Sequence, residues 1–101
     1  MPFILVAKVS EIPPGKGKTV EAGGKKIALF NLGGKFEATS DVCLHRGGPL
    51  GQGVMTGKIV TCPWHGWEYD VTSGKVAINP AVGVNCYKLE IRGEDIFVEC
   101  G

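Results

Sequence analysis

The sequence predicts an all-β fold, a single antiparallel sandwich or small barrel of short strands. Three observations carry this. Eight runs of β-type residues, each five to eight residues long, are spread along the chain. Glycine, at 16 of 101 residues, punctuates those runs and is about twice as frequent as its usual share of roughly 7%. No segment of ten or more residues has helical periodicity.

FILVAKV at 3–9 is the first run. KTVEA at 18–22 and KKIALFNL at 25–32 flank Gly23-Gly24, and KFEATS at 35–40 follows Gly33-Gly34. Glycine pairs supply the positive φ that tight hairpins need. KIVTC at 58–62 and WEYDV at 67–71 come next. The last hairpin is the clearest: Tyr87, Leu89 and Ile91 share one face of NCYKLEI, RGED turns, and IFVEC at 96–100 returns. Lysines beside Gly15, Gly17, Gly24, Gly34, Gly57 and Gly74 are most simply charges at strand ends and edges.

A length of 101 residues suits one domain with one core. A net charge of +1 gives no argument for nucleic acid or for an anionic membrane surface. The opening apolar run, Phe3 to Ala7, follows no basic residue, and no stretch approaches 18 apolar residues. A cytoplasmic location is therefore expected. In that reducing setting four cysteines point to metal binding rather than to disulfides.

Two segments fit neither strand nor helix. CLHRGGPL, 43–50, places a thiol and an imidazole one residue apart, then two glycines and a proline that would weaken any ladder. TCPWHGW, 61–67, repeats the theme. Together Cys43, His45, Cys62 and His65 give C-x-H, sixteen intervening residues, then C-x-x-H. Small or rigid neighbours leave backbone N–H groups free to point at sulfur. A Cys2His2 zinc site is the alternative, but zinc modules more often pair Cys with Cys and His with His. Iron and acid-labile sulfide separate the two readings.

CLHRG and CPWHGW resemble the Rieske [2Fe–2S] motif, and GGPLGQG, YD…SGK and NPAV fit that family along nearly the whole chain. The resemblance implies a Rieske-like antiparallel sandwich or barrel, with a base at 1–42 and 70–101 and a cluster-binding part of two loops at about 43–69. It also implies one cluster, with Cys43 and Cys62 on the inner iron and His45 and His65 on the outer one. Two ferric ions, two sulfides and two thiolates sum to zero charge, so reduction is easier than for an all-cysteine cluster. The resulting range is roughly −150 to +300 mV, against about −400 mV for plant-type ferredoxins.

Two departures from the high-potential members imply a value near the bottom of that range. Gly48 and Trp64 stand where those members have bridging cysteines, and Trp67 stands at a serine position, although Tyr69 is present. Around the ligands, Gly47, Gly48 and Gly66 let backbone approach sulfur, and Arg46 is either a docking charge or a solvated one. Trp64 is expected to be partly exposed near the cluster, and Trp67 is at least as well read as a core aromatic. Pro80, in Asn79-Pro80-Ala81, matches a proline-bearing loop that in the family covers the cluster's other side. Cys86 and Cys100 are expected to be free, buried thiols, with a cross-strand disulfide as the alternative.

Both histidines of the chain are assigned as ligands, leaving none for a general base or a mononuclear iron site. The expected function is a soluble, monomeric electron carrier and not an enzyme, accepting electrons from a reductase and passing them to an oxygenase-type partner. The alternatives are a fixed subunit of a larger redox enzyme, such as the small subunit of nitrite reductase, and a zinc-stabilised interaction module.

Overall fold

A computed structural model describes residues 3–42, 48–64 and 66–99. Among these are eleven strands: β1 (Phe3–Lys8), β2 (Gly17–Ala22), β3 (Lys25–Asn31), β4 (Phe36–Ser40), β5 (Val54–Thr56), β6 (Ile59–Thr61), β7 (Glu68–Asp70), β8 (Lys75–Val76), β9 (Asn79–Gly83), β10 (Cys86–Arg92) and β11 (Asp95–Glu99). Single 3-10 turns occupy Val9–Glu11 and Leu50–Gln52. The all-β expectation holds. The strands form a six-stranded sheet, ordered β1-β11-β10-β4-β3-β2, and a five-stranded one, ordered β5-β6-β7-β8-β9. All pairings are antiparallel. The two ends of the larger sheet, β1 and β2, approach each other without pairing, so this sheet is a nearly closed barrel.

The expected hairpins have distinct turn chemistry. Ala22 faces Lys25 across Gly23 and Gly24, whose φ values of 59° and 79° make a two-residue turn matched to strand twist. The next hairpin is wider, with Asn31 facing Phe36. There the Asn31 side-chain oxygen accepts the Gly33 and Gly34 N–H groups at 3.0 and 2.8 Å, while its amide donates to the Ile12 carbonyl at 2.8 Å. In the last hairpin Ile91 faces Ile96 and Leu89 faces Val98. Burial falls mainly on β11, where Ile96 and Val98 are enclosed, whereas Ile91 on β10 is exposed.

Side chains alternate across a strand, so a strand buried on both faces reads as a continuous apolar run. That is the case for β3. Ile27 and Leu29 join Ala7, Ile12, Val20, Ala22, Ala38, Ile96 and Val98 in a core inside the large sheet. Ala28 and Phe30 face the other way, into a second core with Leu50, Val60, Cys62, Tyr69, Val71 and Val76. β3 is thus the wall between two cores, where the length of the chain suggested one.

The second sheet extends from Val54 to Gly83, past residue 69, through strands the sequence did not announce. β8 has two residues, and β9 contains Pro80, which a strand admits only at an edge. β9 is such an edge, paired only with β8. The NPAV segment, read as an irregular covering loop, is therefore a strand.

Candidate metal centre

Of the four candidate ligands, Cys62 is described; Cys43, His45 and His65 lie outside the described residues, as do Arg46 and Gly47. Among the described residues no three metal-ligating side chains converge. The site is therefore built from its frame.

Cys62 follows β6 and is 1% exposed, its thiol packed in the second core beside Tyr69. Its N–H donates to the Trp67 carbonyl at 2.7 Å and its carbonyl accepts the Gly66 N–H at 3.0 Å. These bonds close residues 62–67 into a compact loop, turned by Gly66 at a φ of 72°. The loop is carried by β6 and β7, which pair through Val60 and Tyr69.

The first loop meets the second at Gly48. A Cβ there would lie 2.8 Å from Cys62 Sγ, closer than real Cβ atoms approach, and a tight 3.1 Å from Trp64 Cγ. Glycine at this position allows backbone to lie directly against the sulfur. Gly48 and Trp64, the two positions read as lacking bridging cysteines, lie side by side, with the indole next to the glycine. Trp64 is 58% exposed, in keeping with expectation.

Trp67 is not a core residue. It is 36% exposed and lines an apolar cup of about 200 Å³ with Val76, Ile78, Asn79 and Val82. The reason is its place: it precedes β7 at the margin of the small sheet, while Tyr69, two residues on, is buried. Pro80 lies on β9, the strand that carries Asn79 and Val82 of this cup. Cys86 is likewise exposed rather than buried, on β10 opposite Thr39, and it forms no disulfide. Partial desolvation first, then the charges of Glu37 and Asp70, raises its thiol pKa. Cys100 lies outside the described residues.

Sequence reasoning missed Asp41, which ends the segment before the first loop. It is 2% exposed, with Oδ1 accepting the Gly51 N–H at 2.7 Å and the Thr19 hydroxyl at 2.9 Å. Burial pushes its carboxyl up from the ordinary value, against the Gly51 and Thr19 hydrogen bonds and the Lys26 charge. The available signal was an aspartate immediately before a loop, a position where its side chain often bonds nearby backbone.

A buried cysteine sulfur approached by glycine backbone is a fitting donor for a metal–sulfur group. The residues described therefore fit such a centre. Comparison with known proteins agrees. The chain is 35% identical to the biphenyl dioxygenase ferredoxin subunit of Pseudomonas sp. (strain KKS102), covering 98% of this chain and 93% of that protein. It superposes on the ferredoxin of carbazole 1,9a-dioxygenase from Nocardioides aromaticivorans IC177 with a TM-score of 0.87 and 25% identity, covering 97% of each chain. A chain in the complex of reduced oxygenase and oxidized ferredoxin in carbazole 1,9a-dioxygenase matches with a TM-score of 0.85 and 28% identity, over 95% of this chain and 91% of that one. The Rieske [2Fe-2S] domain matches residues 3–88, spanning both candidate loops, and the chain belongs to that family.

Proposed function

We propose that this chain is a one-electron carrier with one [2Fe–2S] cluster, taking electrons from a reductase and delivering them to an oxygenase-type acceptor. The observation that carries this reading is likeness along nearly the whole chain to a dioxygenase ferredoxin subunit. That relative is named as the ferredoxin subunit of a dioxygenase, and the likeness covers 98% of this chain and 93% of that protein. The chain is accordingly a component of an oxygenase system and not its catalyst.

Cys43 and Cys62 are assigned to one iron and His45 and His65 to the other. When bound, the cluster supplies reversible one-electron reduction. The protein's part is to hold and shield it. Cys62 brings a thiolate into a dry core, Gly48 lays backbone against that sulfur, and Trp64 caps the contact. Tyr69 stands in the same core; Arg46, Gly47, Gly66, Trp67 and Pro80 are assigned, with the resemblance as support, to the surroundings of the cluster. The base at 1–42 and 70–101 is the scaffold and 43–69 the cluster-binding part. No disulfide can join positions 48 and 64, so a potential near the bottom of roughly −150 to +300 mV is expected. The molecule works as a monomer in the cytoplasm, meeting its partners transiently.

Redox titration followed by EPR tests this. The expected result is iron and acid-labile sulfide in equal amounts, two of each per chain. An anisotropic signal should appear only on reduction, at a low potential for the class. Zinc without sulfide overturns the reading, and a high potential overturns the role given to Gly48, Trp64 and Trp67.

A further inference from the structure

Asp41 closes the foot of the first candidate ligand loop. Besides the two bonds to its side chain, its N–H donates to the Lys26 carbonyl at 3.1 Å and its carbonyl accepts the Leu50 N–H at 2.8 Å. Next to it Val42 pairs with Pro49 in an isolated antiparallel bridge. Both feet of the segment that carries Cys43 and His45 are therefore tied together, and tied to β2 and β3.

Beneath the carboxylate the packing is backbone against backbone. A Cβ on Gly51 would lie 2.7 Å from Thr19 Oγ1 and 2.8 Å from the Thr19 nitrogen. A Cβ on Gly17 would lie 2.8 Å from the Gly51 oxygen. The 3-10 turn Leu50–Gln52 thus sits on β2 with no side-chain spacer at either glycine. The Gly51 N–H, buried in this contact, finds its acceptor in Asp41 Oδ1.

We propose that Asp41 is a positioning residue for the cluster, latching both feet of the Cys43–His45 loop to β2 and so setting how firmly that loop holds metal. This rests on the function proposed above. The chemistry required is an acceptor oxygen for two converging donors, one from β2 and one from the 3-10 turn. Asparagine keeps that oxygen; alanine leaves a buried N–H unpaired.

The test uses the holoprotein as purified, with Asp41→Ala, Asp41→Asn, Thr19→Val and Ile96→Ala. Ile96 is buried in the other core and serves as the control for a general loss of stability. Release of iron and sulfide to a chelator is followed well below the unfolding temperature, with the EPR line shape of the reduced state. Asp41→Ala is expected to release its cluster about tenfold faster than wild type and to broaden the signal, from the loss of a buried hydrogen-bond acceptor. Asp41→Asn should restore slow release, Thr19→Val should fall between, and Ile96→Ala should release at the wild-type rate. Equal release from Asp41→Ala and wild type overturns the inference. So does equally fast release from Ile96→Ala at matched stability, which would make Asp41 merely structural. If Asp41→Ala does not fold, Thr19→Val decides alone, and wild-type release from it is the negative result. A wild type that holds zinc and no sulfide is a separate failure, refuting the electron-carrier reading and this inference with it.

Discussion

Replacing one hydrogen of Gly48 by a methyl group would set carbon 2.8 Å from Cys62 Sγ and against the Trp64 ring. Neither neighbour is the loose end of a flexible side chain, so the loops must separate. Gly48→Ala should lower stability by about 1–3 kcal/mol, the usual cost of overpacking, and reduce cluster content on purification. Urea unfolding and sulfide assay check both. A second residue-scale prediction concerns Asp70. Its carboxylate accepts the Thr72 hydroxyl at 2.6 Å, the foremost cause of its lowered pKa; the Thr72 N–H and Lys58 also favour the charged form. A group with a depressed folded pKa stabilises the fold above its unfolded value of about 3.8, and that contribution is lost as pH falls through the folded pKa. An NMR titration should therefore find Asp70 below 3.8 and find it closer to 3.8 in Thr72→Val. The role of Asp70 was invisible in the sequence, as were those of Asp41 and Asn31. Asp41 and Asn31 are ordinary polar residues until folding brings the distant Thr19 and Ile12 to their side chains, and Asp70 bonds Thr72 two residues on, a turn that its β-type run concealed.

At the scale of elements, the strands legible in the sequence were those with five or more β-type residues or clear glycine boundaries: β1 to β4, β10 and β11. β6 and β7 were legible as parts of longer runs. β5, β8 and β9 escaped because two to five residues, some of them glycine or proline, carry no periodicity of their own. They are strands because the pairings from β6 outward impose it. β3 shows the reverse: its run was found, but the sequence did not say that its faces serve different cores. That division is testable. Leu29→Ala, facing the first core, should cost about 2–5 kcal/mol, and Phe30→Ala, facing the second, about 3–5 kcal/mol. Only Phe30→Ala should disturb the environment of Cys62, which shares its core. Equilibrium unfolding gives the first comparison and the chemical shifts around Cys62 the second.

For the whole molecule, two cores imply two levels of resistance to metal loss. Among the described residues the first core contains no candidate ligand, and it is built mainly on the large sheet. The second contains Cys62 and depends on loops that the cluster would clamp. Removing iron with a chelator should leave amides of Ile27, Leu29, Ile96 and Val98 protected from hydrogen exchange, while the Cys62 and Gly66 N–H groups exchange faster. Uniform loss of protection would mean that the domain folds only around its metal. The centre itself was legible from the spacing of four residues because ligand chemistry tolerates few substitutes. The frame that presents it was not, because close approach of glycine to sulfur is a property of the assembled fold.

The contact at Gly48 has an optical consequence. The indole of Trp64 and the sulfur of Cys62 both crowd one small glycine, so the ring is a near neighbour of the sulfur that would hold iron. Visible-absorbing iron–sulfur groups drain excited-state energy from neighbouring chromophores. Emission from Trp64 should therefore be dim in the loaded protein and brighten as metal leaves. Trp64→Phe should remove most of that change and leave the weaker response of Trp67. The carrier then contains its own gauge of cluster occupancy, readable in a cuvette without labels.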